Sequence, residues 1–370
     1  MNARPNSGIE HSWGAKIGPS PTSCDARKAH SPTQATMSPA RHTPSVSIVM
    51  CTYNAEAYLQ PQLDSFLEQT VLPGELIVQD DASVDSTLAI LDRFARKAPF
   101  PVSVESNRTR LGPTGNFEIA MGRAQQDVVF LSDADDIWLP GRVEAMLTAF
   151  RQRPSVTCVF ADASLVTERL DPMGKTLWET IGFDADAQSR VEQGDVVDAL
   201  FRRTIGFGGT MALRRAILQS VLPIPRPWGH DNYTAILAAA TGELALIRTP
   251  NLKYRQHRSQ YSGANAGFWR RLRMARGPRP VKDWVPRGGS YKLLAERLEM
   301  IREGGGGSRN LLPLLRHAHE KSRHLQMREG LSEDVAKRAN TVLRGLATGQ
   351  YHRYSNGYQS AIRDLIFGTY

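Results

Sequence analysis

From Val46 to Ala161 short apolar runs rich in β-branched residues alternate with longer stretches whose apolar residues recur every three or four positions. VSIVMC begins at Val46 and is followed by Leu59, Leu63, Phe66 and Leu67 at helical spacing. ELIVQ (75–79) precedes a helical pattern through Leu88, Leu91 and Phe94, VSVE (102–105) precedes a helix from Asn116, and VVFLS (128–132) precedes one through Val143, Met146, Leu147 and Phe150. A further strand, SVTCVFA, closes the series near Ala161. Strands separated by helices of this length must cross over before they pair. The pattern therefore predicts an α/β fold: a mostly parallel sheet of at least five strands with helices on both faces.

On either side of this region the texture changes. Residues 1–43 mix Pro, Ser, Thr, His and Gly without an apolar period, and they are expected to form a disordered tail. After Ala161 the pattern loosens, with Gly206, Gly208 and Gly209 in a turn, Pro223, Pro225 and Pro227 close together, and a helix from about Asn232 to Ala240. From about 266 the chain reads as helices, as in Leu331, Val335, Ala339, Val342 and Leu346, interrupted at Gly304–Gly307. The expected division is 1–43, 44–265 and a basic helical region 266–370. With 41% apolar residues a real core is available, no apolar stretch is long enough to span a membrane, and the first 30 residues lack the apolar segment of a secretory signal. Three scattered cysteines, Cys24, Cys51 and Cys158, suit a reducing compartment and exclude a disulfide framework. The expected location is cytoplasmic, with peripheral contact at the inner face of the membrane.

Ligands of open α/β sheets bind beyond the carboxyl ends of the strands. The strand ends are polar here: Cys51-Thr52-Tyr53-Asn54, then Asp80-Asp81-Ala82-Ser83, then Ser132-Asp133-Ala134-Asp135-Asp136. Each has a plainer explanation. Asn54 could cap the next helix, Asp81 and Ser83 could form an Asx turn, and Asp135 or Asp136 could cap a helix near Trp138. Three such clusters on one sheet edge weigh against capping alone. Three carboxylates within four residues repel one another unless they share a cation, and hard ions such as Mg²⁺ or Mn²⁺ bind through a few carboxylates plus substrate phosphates. Neither Gly-x-Gly-x-x-Gly nor a Gly-x4-Gly-Lys-Ser/Thr loop follows any strand, which excludes two common nucleotide-binding designs.

Taken together, VSIVMCTYNAEAYLQPQLDSFLEQT, LIVQDDASVDST, GPTGNFEIAM, VVFLSDADDIWLP and HDNYTAILAAATGELALI with YRQH resemble inverting glycosyltransferases of family 2, which have the GT-A fold. The likeness covers about 46–265, and the SDADDIW, HDN and YRQH segments are most similar to the rhamnosyltransferase-like branch that builds bacterial surface polysaccharides. It implies an enzyme that moves a sugar, rhamnose among the candidates, from a nucleoside diphosphate donor to a saccharide or polyprenyl-linked acceptor. Thr52, Tyr53 and Asn54 would line the nucleotide pocket, Asp81 would contact base or ribose, and Asp133 would face the donor ribose or sugar. Asn116, Gly209, Thr210 and His230 would also bind substrate. Asp135 would bind the Mg²⁺ or Mn²⁺ that bridges the diphosphate, His257 would be a further metal contact, and Asp231 would be the general base. Two departures stand out: Ala82 replaces a usual glycine, and Asn232-Tyr233 replaces an aromatic pair. Asp231 could also cap the helix predicted at Asn232.

Charge divides unevenly. Residues 1–43 carry net +3, 44–252 net −8 and 253–370 net +14, within a total of +9. Phe268, Trp269, Leu272 and Met274 interleave with arginines, an arrangement compatible with an anionic membrane surface or with a packed helix whose charges are solvated. No nucleic-acid module accompanies the charge. The rival to catalysis is a sugar-nucleotide-binding scaffold of a polysaccharide assembly complex that has lost activity, against which intact Asp135 and Asp231 argue.

Overall fold

The computed structural model describes residues 44–203, 205–226, 228–257 and 287–368, and these belong to one compact unit, Thr43–Tyr370. The segment around Phe268 and Trp269 lies outside the described residues. The predicted alternation is present: β1 (Val46–Thr52), α1 (Leu59–Leu67), β2 (Glu75–Asp80), α2 (Thr87–Ala95), β3 (Val102–Ser106), α3 (Gly112–Gly122), β4 (Val128–Ser132), a two-residue β5 (Ile137–Trp138), α4 (Arg142–Gln152) and β6 (Val156–Ala161). Beyond it come β7 (Ser164–Thr167), β8 (Pro172–Thr176), α5 (Leu177–Ile181), α6 (Ala185–Glu192), β9 (Met211–Arg214), α7 (Leu218–Val221), α8 (His230–Thr241), β10 (Glu243–Ile247) and β11 (Leu252–Gln256).

Seven strands form the main sheet in the order β10-β6-β9-β4-β1-β2-β3. All its pairings are parallel except those of β9, which runs antiparallel between β4 and β6. Alternate residues of each strand serve opposite faces. Ile48, Met50, Leu76, Val78 and Phe130 pack with Leu63 of α1, Leu91 of α2 and Met146 of α4, while Val49, Ile77, Val129 and Leu131 pack with α3 and α8 on the other side. Burial on both faces explains why these strands read as continuous apolar runs.

A second sheet, β5-β11-β7-β8, was not legible from the strand pattern. β11 pairs antiparallel with β5, Leu252 opposite Trp138 and Lys253 opposite Ile137. Followed outward, that ladder runs residues 254–257 alongside the acidic segment 133–136. After residue 286 the chain is helical: α9 (Gly288–Glu303), α10 (Leu311–Glu329), α11 (Val335–Ala347), α12 (Gln350–Tyr354) and α13 (Tyr358–Phe367). Leu294 and Leu298 of α9 and Leu314 and Ala318 of α10 join the same core as α8, so the first helices of the basic region complete one face of the sheet. α11 and α13 close around a smaller core of Leu331, Val342, Tyr351 and Ala361. Among the described residues no helix is long and apolar enough to cross a membrane.

Candidate active site

The strand order β4-β1-β2 sets the three polar strand ends side by side. Cys51 marks their junction: burial first, then the charges of Asp133 on one side and Asp81 on the other, push its thiol up. The capping explanations fail. α1 is preceded by Tyr58 and not by Asn54, whose Oδ1 accepts from Val84 N at 3.0 Å while its own N donates to Ser83 Oγ at 2.8 Å. Trp138 lies in β5, and α4 begins after Gly141, so neither Asp135 nor Asp136 caps a helix. Asp80 is the organiser of the β2 tip: it accepts from Thr52 Oγ1 at 2.8 Å, Ser83 N at 2.8 Å and Ser106 Oγ at 2.9 Å. The following Ala82 adopts φ +63°, the left-handed conformation for which glycine is favoured, and Asn54 adopts φ +46°. The loop thus keeps a glycine-like shape despite its Cβ.

Asp81 is buried with both oxygens engaged by the start of α3, Oδ1 by Leu111 N at 2.7 Å and Oδ2 by Gly112 N at 2.9 Å, with Asn107 Nδ2 at 2.9 Å. Asn116 is likewise a buried brace, donating to Gln79 O at 2.7 Å and accepting from Asn107 Nδ2. Tyr53 is partly exposed beneath the Arg110 guanidinium, whose Cζ sits 3.8 Å from the ring centre.

The acidic group occupies the other half of the crevice. His257 Nε2 lies 2.7 Å from Asp135 Oδ2, joining the end of β11 to the loop after β4. Asp136 Oδ1 accepts from Arg255 N at 3.1 Å, but its Oδ2 is buried without a partner among the described residues. Burial, then Asp135 and Asp231, raises the Asp133 carboxyl above its ordinary range; burial, then Asp135 and Asp133, raises Asp136 well above it. Burial, then Asp136, Asp133, Asp135 and Asp231 together, also pushes the Tyr254 hydroxyl up. Asp133 and Asp136 therefore sit in a place poor in solvent, with the charges of Asp135 and Asp231 acting on Asp133. Opposite them stands Arg142, fully buried, which donates from Nη2 to Gly209 O at 2.8 Å and from Nη1 to Asn251 Oδ1. Burial, partly offset by Asp136, lowers its pKa to about 9.

Gly209 faces this group at close range. A Cβ there would stand 2.8 Å from Asp136 Oδ2 and 3.0 Å from Asp133 Oδ2, so only a bare backbone fits. Thr210 is buried and spends its hydroxyl on Phe207 O at 2.9 Å, inside the turn. Asp231 lies in the first turn of α8, which starts at His230, two residues earlier than predicted, with Gly229 as N-cap; Asp231 is not the cap, and its Oδ1 accepts from Asn232 N at 2.7 Å. His230 is buried, stacked on Phe117 with ring centres 3.9 Å apart, and burial depresses its pKa.

Arg255 and Tyr58 belong to a support that single residue types do not announce. Arg255 donates from Nε to Asp135 O and from Nη1 to Glu168 O, both at 2.7 Å; Tyr58 OH donates to Glu168 Oε1 at 2.6 Å, and its ring centre lies 4.4 Å from that of His257. The YRQH segment was the available signal for Arg255; Tyr58, Glu168 and Arg142 had none.

Residues 47–222 match the family described as Glycosyl transferase family 2. The matched residues, 176 of the chain's 370, are the part that resembles a family 2 glycosyltransferase domain. The match ends before Asp231 and His257. The chain is 27% identical over 219 residues to an uncharacterized protein of Mycobacterium tuberculosis, covering 57% of this chain and 59% of the relative, so it spans less than two thirds of that protein. It is 24% identical over 243 residues to the dTDP-rhamnosyl transferase RfbG of Shigella flexneri, covering 61% of this chain and 79% of RfbG. Among solved structures it is similar to Staphylococcus aureus TarS 1–349 in complex with UDP-GlcNAc, with a TM-score of 0.55, 16% identity, and 88% of this chain and 93% of that one covered. At that identity the likeness shows the fold: the expected GT-A, Rossmann-like α/β sheet with a helical C-terminal region.

Proposed function

We propose that this chain transfers a sugar from a nucleoside diphosphate donor to a hydroxyl of a saccharide or polyprenyl-linked acceptor in surface polysaccharide synthesis, with inversion at the anomeric carbon. The observation that carries the reading is the meeting of Asp133, Asp135, Asp136 and His257 beyond β4, where Gly209 closes on Asp133 and Asp136, with Asp231 on a separate element, the first turn of α8, beside the strand ends that bear Thr52 and Asp81. Thr52, Tyr53, Asn54 and Asp81, braced by Asn116, form the nucleotide end of the crevice. Asp133 faces the donor ribose or sugar, and Gly209, Thr210 and His230 wall the sugar and acceptor side. The RfbG likeness favours a deoxyhexose donor such as rhamnose.

The donor set fits a divalent cation. Among the described residues no group of three or more His, Cys, Asp or Glu could hold a metal, but the close Asp135–His257 pair offers an oxygen and a nitrogen, and the unpartnered Asp136 Oδ2 leaves negative charge to neutralise. Two protein ligands suffice where diphosphate oxygens complete the shell, and an imidazole in the set favours Mn²⁺ over Mg²⁺. When bound, the ion supplies Lewis-acid stabilisation of the departing diphosphate. Asp231 accepts the proton of the acceptor hydroxyl as its oxygen bonds to the anomeric carbon and the bond to the diphosphate oxygen breaks. Asp231 needs separation from the ion, since a nearby cation would weaken it as a base. A nucleotide donor also suits a cytoplasmic setting.

The test is Asp231→Asn assayed against a panel of sugar nucleotides. Donor binding is expected to persist while transfer falls by about 10²- to 10⁴-fold, the usual contribution of a positioned base. Equal turnover by wild type and variant would remove Asp231 from this role.

A further inference from the structure

α13 is apolar on the side that should be polar. Its inner side is fixed by Ala361, buried in the small core, and by Asp364, which accepts two bonds from Arg328, at 2.7 and 2.8 Å, and one from Tyr351 OH at 2.7 Å. At about 100° per residue, Ile362 and Ile366 fall on the opposite side, with Tyr358 on one flank, Phe367 on the other, and Arg363 between Ile366 and Phe367. Tyr358, Ile362, Ile366 and Phe367 are 65%, 56%, 63% and 66% exposed. An outward apolar stripe of this kind on a helix already anchored from within marks an interaction surface.

The segment that carries the stripe is cationic. Between residues 335 and 368 there are five arginines and lysines and one carboxylate, the buried and paired Asp364; Glu333 and Asp334 stand just before α11. Arg363 lies along the stripe, the His352 ring meets the Tyr358 ring edge-on with centres 4.6 Å apart, and Arg338 donates to Leu365 O at the far end. Charge then selects the occupant. Residues 258–286 carry seven basic side chains and one acidic, residues 1–43 are net positive, and a second copy would present the same cationic rim. Each would meet like charge, whereas an anionic lipid surface complements both the rim and the stripe.

We propose that α13 docks peripherally on anionic phospholipid, inserting Tyr358, Ile362, Ile366 and Phe367 between headgroups that Arg353 and Arg363 neutralise. The assignment needs no part of the transfer reaction, although it would bring the crevice to the surface that holds a polyprenyl-linked acceptor. The experiment is flotation of the full chain with phosphatidylcholine vesicles, with and without phosphatidylglycerol, at low and high salt. Wild type is expected to float with the anionic vesicles, at least about tenfold less with neutral ones, and less at high salt. Ile362→Ser/Ile366→Ser should lose at least about tenfold in partitioning with melting temperature and nucleoside diphosphate binding unchanged, because the anchored side is untouched. Should that variant misfold, Arg353→Gln/Arg363→Gln should lose the preference for anionic vesicles. Undiminished flotation of either folded variant, as expected if residues 258–286 carry the binding, would overturn the proposal. So would a wild-type chain that ignores vesicles, including one that forms dimers dissolved by the double serine substitution. Nucleoside diphosphate binding, measured on the same samples, reports separately on the transferase reading.

Discussion

At the scale of single residues, the crevice depends on groups that hold the charged ones in place. Arg255 spans two carbonyls, Asp135 O and Glu168 O, with separate nitrogens of one planar guanidinium. A lysine gathers its donors on one ammonium and does not reproduce the fixed spacing of two separate nitrogens. Arg255→Lys should therefore raise the Mn²⁺ concentration needed for nucleoside diphosphate binding by about 10- to 100-fold, as loss of a supporting contact behind a metal ligand does. Saturating Mn²⁺ should restore the binding, which titration calorimetry would record; a variant indistinguishable from wild type would make Arg255 a packing residue only. Gly209 and Ala82 show the opposite kind of constraint, in the backbone. One fits because it lacks a Cβ facing two carboxylates, and the other keeps a left-handed turn although it has one.

At the scale of elements, the helices of the basic region couple their packing to pH. Burial, then Lys321, holds His317 down to about 4, and burial, then Arg328, does the same to His324. Both lie below the ordinary value of 6.5, so between about 4 and 6.5 the unfolded chain binds more protons than the folded one. Their contribution is present in full above pH 6.5 and is lost as pH falls toward 4. The melting temperature should drop over that window, and His317→Phe, which keeps a ring against Phe201, should flatten the dependence. β1, β2, β4, β6 and the helices between them were legible because burial on both faces writes continuous apolar runs. β5, β7, β8, β9, β10 and β11 were not: at two to five residues, outside the regular strand-and-helix alternation, they carry too little pattern to separate strand from loop. The start of α8 was placed late because Gly229 supplies no side-chain oxygen as a cap signal, and the break at Gly304–Gly307 was clear because glycines end a helical period.

At the scale of the whole molecule, residues far apart in the chain meet through sheet order and ladder register. Asp135 and His257 are 122 positions apart and 2.7 Å from each other because β11 runs antiparallel to β5. The acidic segment stood out in the sequence by its composition; its partners Arg142, Tyr58 and Glu168 did not, since only tertiary structure brings them to it. The central claim is that these acidic groups hold a cation that in turn holds a diphosphate. Melting temperature with a nucleoside diphosphate, with and without Mn²⁺, tests it on wild type and Asp135→Asn side by side. The expected result is a stabilisation of wild type that requires Mn²⁺ and disappears in the variant. A shift of equal size without the ion, or one retained in full by Asp135→Asn, would contradict it.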